Sequence, residues 1–250
     1  MQPLSGLTVV ALEHAIAAPY ATRQLADLGA RVIKVERPGT GDFARGYDAR
    51  VRGLSSHFVW VNRGKESLTL DLKHPAAAAL LERLIIEQAD VVVQNLAPGA
   101  AARLGLSYER LAPARPEIVV CDISGYGASG PYRDKKAYDL LIQAEAGLLS
   151  VTGTPAEPCK AGISIADIAA GVQARRHDGI SRRMILGIHQ LPIHVQFLLS
   201  RSLVVGAGNM IPFTNGITQI IDCKPFSPYP AAILRNHSKL QCIGTSVIKS

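Results

Sequence analysis

Asp167 lies in the segment Gly162-Ile163-Ser164-Ile165-Ala166-Asp167-Ile168-Ala169-Ala170-Gly171, a single carboxylate among apolar residues at a helix start. Such a group is costly to bury without a purpose or a partner. The alternative is a first-turn acid favoured by the helix dipole, and the residues alone leave both readings open. Four cations, Arg37, Lys73, Arg103 and Lys136, fall just after strand ends or in the loops that follow. Ligands of open α/β sheets bind beyond the carboxyl ends of the strands, so the four together point to an anionic, multi-phosphate ligand. Any one of them alone reads as ordinary surface charge. Gly125-Tyr126-Gly127-Ala128-Ser129-Gly130 has the form GxGxxG after a strand, but Pro131 and a polar run follow instead of a helix. That context argues against a dinucleotide-binding turn and for a flexible loop facing a substrate. The seven histidines, His14 among them, show no metal-ligand spacing, and neither a GxSxG elbow nor a Cys/His dyad is present. Metal and serine-hydrolase chemistry are therefore disfavoured.

The elements that must position these residues alternate. Leu7–Leu12 (LTVVAL) and Arg31–Glu36 (RVIKVE) read as strands, with a helix between them opened by Pro19 and closed by Gly29. Strand, helix and strand over about 30 residues form a βαβ unit with a right-handed crossover. Pro75 begins a second helix through Leu80, Leu81, Leu84 and Ile85, leading to the strand Asp90–Gln94. Glu117–Ile123 (EIVVCDI) is a further strand, and Tyr138–Leu149 reads as a helix after the glycine-rich loop. The alternation predicts an α/β fold, a Rossmann-like open sheet with helices on both faces.

The chain has 250 residues, 48% of them hydrophobic and 19% charged, with mean hydropathy +0.16 and net charge +7. It is too apolar for a disordered chain and long enough for a substantial core. The charge is uneven. Residues 1–174 hold 18 Lys and Arg against 18 Asp and Glu, whereas residues 175–250 hold nine against two. Alanine falls from 30 in the first part to three in the second. A break of this kind marks a domain boundary or a change in the origin of the sequence. The basic residues of the tail are scattered and not interleaved with aromatics, so no nucleic-acid partner is expected. Met184–Ser200 and Ser202–Ile221 approach membrane-span length but carry His, Gln, Asn and Pro, so no membrane partner is expected either. Four separated cysteines without a CxxC pair, and an N-terminus without a secretory pattern, predict a cytoplasmic protein.

Several segments together resemble the family III CoA-transferases. They are Leu25-Ala26-Asp27-Leu28-Gly29-Ala30 with Val32-Ile33-Lys34-Val35-Glu36-Arg37-Pro38-Gly39 and Gly41-Asp42; Asn62-Arg63-Gly64-Lys65 with Ser67-Leu68 and Asp71-Leu72-Lys73; and Gln94-Asn95 with Pro98-Gly99. Ser124-Gly125-Tyr126-Gly127, Gly130-Pro131, Ala137-Tyr138-Asp139 and Ser164-Ile165-Ala166-Asp167 complete the series. Order and spacing agree over residues 4–174. The resemblance implies transfer of coenzyme A between an acyl-CoA donor and a small carboxylic acid, with no permanently bound cofactor. It implies Asp167 as nucleophile, forming an aspartyl-CoA thioester, and a CoA site lined by Arg37, Leu70, Lys73, Asn95, Leu96, Arg103 and Lys136. Gly125, Tyr126, Gly127, Tyr138 and Asp139 would form the substrate loop, and two interlocked rings a homodimer. The same family contains α-methylacyl-CoA racemases, which pair the aspartate with a histidine of a Gly-His-Asp sequence. Ala137-Tyr138-Asp139 has tyrosine at that position, which favours transfer over racemisation.

The resemblance ends near Ala174. Residues 1–174 are thus expected to be the family's N-terminal α/β domain, and residues 175–250 an atypical basic tail with a frameshifted or alternative end. On that reading the ring is incomplete, and the third outcome beside transferase and racemase is a truncated, non-catalytic CoA-binding remnant.

Overall fold

A computed structural model describes residues 2–176 and 221–224 of the chain. Valine-rich runs that are apolar at consecutive positions form strands buried on both faces. These are β1 (Thr8–Leu12), β2 (Arg31–Glu36) and, after the elements between, two further strands at Val91–Gln94 and Val119–Ile123. The helix α1 (Ala17–Asp27) links β1 to β2 and starts two residues before Pro19. A 3₁₀ turn at Phe43–Gly46 is capped by Asp42, and α2 (Ser56–Asn62) is capped by Ser55. The strand β3 (Lys65–Thr69) follows, then α3 (Pro75–Gln88), whose first turn carries Pro75 behind the His74 cap. The strand β4 (Val91–Gln94) leads through the short helices α4 (Ala100–Arg103) and α5 (Tyr108–Leu111) to β5 (Val119–Ile123). The last elements are α6 (Asp139–Glu145), α7 (Ile165–Arg176) and the strand β6 (Ile221–Lys224).

The sheet order is β3-β2-β1-β4-β5-β6, with β1 to β5 parallel and β6 antiparallel at the edge against β5. The chain builds outward from β1 in one direction through β3, then returns to the other side of β1 with β4. Between β1 and β4 the winding reverses, which opens a crevice at their carboxyl ends.

Alternate residues of each strand face opposite sides. Val9, Ala11, Val32, Val91, Val93, Val119 and Cys121 pack with Leu25 of α1 and with Ala170 and Ala174 of α7. Val10, Leu12, Val35, Val92 and Val120 pack on the other face with Leu81 and Ile85 of α3, Leu106 and Leu111. Helices therefore cover both faces, as expected. A fully buried residue such as Ile85 costs about 2–5 kcal/mol when cut to alanine. The helix expected over Tyr138–Leu149 is broken: Gly147 takes φ 77°, α6 ends at Glu145, and a 3₁₀ turn occupies Leu148–Val151. The expectations for the origin of the tail and for Met184–Ser200 fall outside the described residues, as does nearly all of Ser202–Ile221.

Candidate functional site

The residues expected to bind an anion lie in the segments that follow β2, β3, β4 and β5. Arg37 follows β2, and its guanidinium donates to the Gly41 carbonyl at 3.1 Å. Leu70 extends the β3 ladder by donating its N–H to Glu36 O at 2.9 Å, and Lys73 lies exposed in the next turn. Asn95 and Leu96 follow β4, and Arg103 closes α4. Lys136 is exposed in the loop before α6. Arg37, Lys73, Arg103 and Lys136 form no ion pair with any carboxylate among the described residues. An open cleft of about 350 Å³ between the β4 and β5 ends is lined by Leu96, Pro98, Gly99, Ser124, Gly127 and Arg133.

Asn95 spans the crevice. Its side-chain oxygen accepts from the backbone N–H of His14, and its nitrogen donates to the backbone carbonyl of His14, both at 2.9 Å. The carboxamide thus ties the loop after β1 to the loop after β4. Beside it lies a buried ionic network that the sequence reading missed. Lys34, fully buried in mid-β2, donates to Asp42 Oδ2 at 2.7 Å and stands 3.7 Å from Glu13. Lys65 donates to Glu13 Oε1 at 2.6 Å and Thr22 to Glu13 Oε2 at 2.7 Å. Asp42 Oδ1 accepts from the N–H of Ala44 at 2.9 Å and of Ala15 at 3.1 Å. Ala15 takes φ 60°, a left-handed conformation that alanine adopts only when its surroundings impose it. Burial pushes the Asp42 carboxyl up, but His14, Lys34 and the Ala44 N–H outweigh it and hold the group far below the usual carboxylate range. Burial of Lys65 disfavours its ammonium more than Glu13 restores it, leaving that lysine at about 8. A lysine inside an apolar strand was the available signal.

Asp167 falls in the first turn of α7 and is half-buried. Asp139, the first residue of α6, accepts the N–H of Ala166 on Oδ1 at 3.0 Å and a hydrogen bond from Gln143 on Oδ2 at 2.6 Å. Tyr138 is exposed beside it. The half-exposed Tyr47 phenol is pushed up, first by its partial burial, then by the charges of Asp42 and Asp167 and by Tyr138. Tyr47 therefore joins Asp167, Asp42 and Tyr138 in one electrostatic neighbourhood. It also belongs to an aromatic row, 6.0 Å from Phe43 and 5.8 Å from His57 by ring centroid, with Phe43 stacked on His14 at 5.5 Å. Tyr47, His14 and Phe43 carried no spacing signal in the sequence.

No helix follows the glycine-rich loop directly, so it lacks the geometry of a dinucleotide-binding turn. Gly125 is required by close approach, since a Cβ there would overlap Ala137. Tyr126 is buried and donates to Glu145 Oε2 at 2.8 Å, and burial together with that bond pushes its phenol up to about 12. Lys135 pairs with the other Glu145 oxygen. Gly127, with φ 80°, follows the anchored tyrosine, and its N–H donates to Ser124 Oγ at 3.0 Å. Among the described residues no group of three or more His, Cys, Asp or Glu is placed to hold a metal ion, and no helix is long and apolar enough to cross a membrane.

Fold and site define a doubly wound, mostly parallel α/β protein with cations in the segments that follow its parallel strands and a carboxylate in the first turn of α7. The sequence profile of CoA-transferase family III matches residues 4–175, and the chain belongs to that family. It is 42% identical over 178 residues to the succinate–glutarate CoA-transferase of Agrobacterium fabrum, covering 68% of this chain and 44% of that protein. It is 38% identical over 176 residues to the human succinyl-CoA:glutarate CoA-transferase, covering 70% of this chain and 40% of that one. A CAIB/BAIF family protein from Brucella suis matches in three dimensions with TM-score 0.67 and 38% identity, covering 74% of this chain and 50% of that structure. The chain thus spans less than half the length of the curated relatives it matches.

Proposed function

We propose that this chain carries the CoA-binding edge and the nucleophile of a family III CoA-transferase, moving coenzyme A between an acyl-CoA and a small carboxylic acid. The observation that carries the reading is Asp167 in the first turn of α7, next to a residue whose N–H is held by Asp139, on a fold whose carboxyl edge gathers Arg37, Lys73, Arg103 and Lys136. Relatives named for succinyl-CoA with glutarate and for formyl-CoA with oxalate support the substrate class.

The chemistry runs through the carboxylate. An Asp167 oxygen attacks the thioester carbonyl of the donor, and the C–S bond breaks to give a mixed anhydride and the CoA thiolate. The thiolate attacks the aspartyl carbonyl, and the anhydride C–O bond breaks, leaving an aspartyl-CoA thioester and the donor's carboxylate. The acceptor carboxylate then repeats the two steps in reverse. Backbone N–H groups of the glycine-rich loop would stabilise the oxyanions. The cations along the edge would bind the phosphates of CoA, and Asn95 would hold the two loops that frame it. No step consumes a metal or a redox cofactor. Tyr138 stands where a racemase has histidine, which favours transfer. Exposed Tyr132, Tyr138, Leu140 and Ile163 offer apolar surface for a second copy in a homodimer.

A second reading is CoA binding without turnover, which needs the cations that follow the strands and not Asp167. Calorimetric titration of the 250-residue chain with free CoA tests the shared step. Saturable binding of one CoA per chain is expected. A soluble chain that binds none overturns both readings, and binding without acyl transfer from succinyl-CoA leaves the second.

A further inference from the structure

The backbone of His14 is held more firmly than a surface loop requires. Asn95 bonds its N–H and its carbonyl, each at 2.9 Å, and the next residue, Ala15, is kept at φ 60° by a hydrogen bond to Asp42. The ring is fixed as well. One face stacks on Phe43 with an interplanar angle of 23°. Its Nδ1 is fully buried without a hydrogen-bond partner and faces Asp42 Oδ1 at 3.8 Å. The side chain is nonetheless 27% exposed, so its open surface lies away from Nδ1. That surface belongs to the loop after β1, at the mouth of the crevice where the winding of the sheet reverses and where ligands of such folds bind.

The surrounding charges are already matched. Glu13 and Asp42 are paired with Lys65 and Lys34, and Glu36 is paired with Arg45. Asp42 Oδ1, which already accepts the Ala15 and Ala44 N–H groups, also faces the imidazole, and a ring carrying a proton on each nitrogen would present its Nε2–H outward as a donor. Strain at Ala15 and an orphaned buried ring nitrogen are features that a purely structural histidine would not need.

We propose that His14 is a ligand-contacting residue, aligned by Asp42 and Asn95, whose outer ring edge binds an anionic oxygen of the acyl-CoA. This rests on the transferase reading above. The anionic oxygen belongs either to a phosphate of CoA or to the carboxylate of the acid, and the experiment separates the two.

His14→Leu removes the ring nitrogens at similar volume, and His14→Gln keeps an N–H donor at comparable reach. Each is titrated calorimetrically with CoA, with pantetheine, which lacks the phosphates, and with succinate. The ring signals of His14, assigned by their loss in His14→Gln, are followed by nitrogen–proton NMR in the parent chain during addition of CoA, inorganic diphosphate or succinate. His14→Leu is expected to weaken binding about tenfold, the scale of one hydrogen bond to a charged oxygen, with most of it recovered in His14→Gln. A loss seen with CoA and absent with pantetheine assigns the contact to phosphate. A loss seen with succinate assigns it to the carboxylate. CoA binding at parental strength in His14→Leu, with the ring signals unmoved, overturns the proposal and leaves the transferase reading standing. If the parent chain binds no CoA, that reading fails, and His14 is then judged on diphosphate and succinate: shifted ring signals support it and unmoved ones overturn it.

Discussion

Asp139 holds the start of the helix that carries Asp167: its Oδ1 accepts the Ala166 N–H at 3.0 Å, across 27 residues of chain. The first N–H groups of any helix have no partner within it. In α7 one of them is satisfied by the first residue of α6, while the other Asp139 oxygen binds Gln143 at 2.6 Å and lies 3.4 Å from Lys160. Two helix starts thus share one carboxylate, and the backbone just before Asp167 is set by a contact distant in sequence.

Removing that contact with Asp139→Ala is expected to cost about 1 kcal/mol, the scale of a lost helix cap. In a domain of this size that lowers the melting temperature by about 2–4 °C. Asp139→Asn retains an acceptor and should lie between the two. Differential scanning calorimetry reads the effect, and an Asp139→Ala chain melting with the parent would show that the contact contributes nothing.

Asp167→Ala is expected to abolish acyl exchange while leaving CoA affinity within about twofold, since the edge cations and Asn95 are untouched. Intact-mass measurement after incubation with succinyl-CoA should show a covalent adduct on the parent chain and none on Asp167→Ala. An adduct surviving in the variant would put the nucleophile elsewhere.

The Asp42 cluster predicts acid lability. Burial opposes the Asp42 charge, but His14, Lys34 and the Ala44 N–H overcome it and hold the folded-state pKa below that of the unfolded chain. A depressed carboxyl stabilises the fold above the unfolded value, near 4, and that contribution is lost as pH falls below it. The parent should therefore lose stability steeply from about pH 4 downward. Asp42→Asn should start less stable at pH 7 and lose less over the same acid range. Lys34→Met alone strands the buried Asp42 carboxylate, since Glu13 keeps Lys65, and should cost about 3–5 kcal/mol. Urea unfolding at pH 7, 4 and 3 reads all three chains, and equal acid slopes for parent and Asp42→Asn would dismiss the assignment.

Much of the fold was legible because its central strands are runs such as Val91–Gln94, whose burial on both faces leaves a continuous apolar signal. β3 was not: Lys65–Thr69 is an edge strand with three exposed positions, and its pattern is largely polar. Gly147 lay inside an apolar helical period, and only its left-handed backbone shows that the helix ends there. At the site, Asp167 and the cations could be read because strand ends and helix starts are local features. Glu13, Lys34, Asp42 and Lys65 could not. Their pairing joins residues eight to 52 positions apart; Glu13, Asp42 and Lys65, taken singly, each read as a polar residue at an element boundary, and only Lys34, inside a strand, carried a signal.

Gly171 offers the sharpest test of how α7 places the nucleophile. A Cβ at this position would lie 2.7 Å from the carbonyl oxygen of Ala17, 3.0 Å from the Tyr20 ring and 3.2 Å from the Ala21 N. Two of these are backbone atoms of α1 that cannot rotate away, so any side chain must drive α1 and α7 apart. Asp167 precedes Gly171 by four residues and therefore stands on the same face of the helix, one turn earlier. Displacing the helix at Gly171 displaces the carboxylate with it. Gly171→Ala gains up to about 1 kcal/mol of helix propensity, against about 1–3 kcal/mol for overpacking. The net change in stability should be small, and the change in reactivity larger, because a misplacement of order 1 Å can cost about a hundredfold in rate. The expected outcome is a chain that melts within about 4 °C of the parent and binds CoA normally, yet forms the Asp167 adduct at least about tenfold more slowly. Adduct formation at the parental rate would mean that the close approach of α1 and α7 serves packing alone.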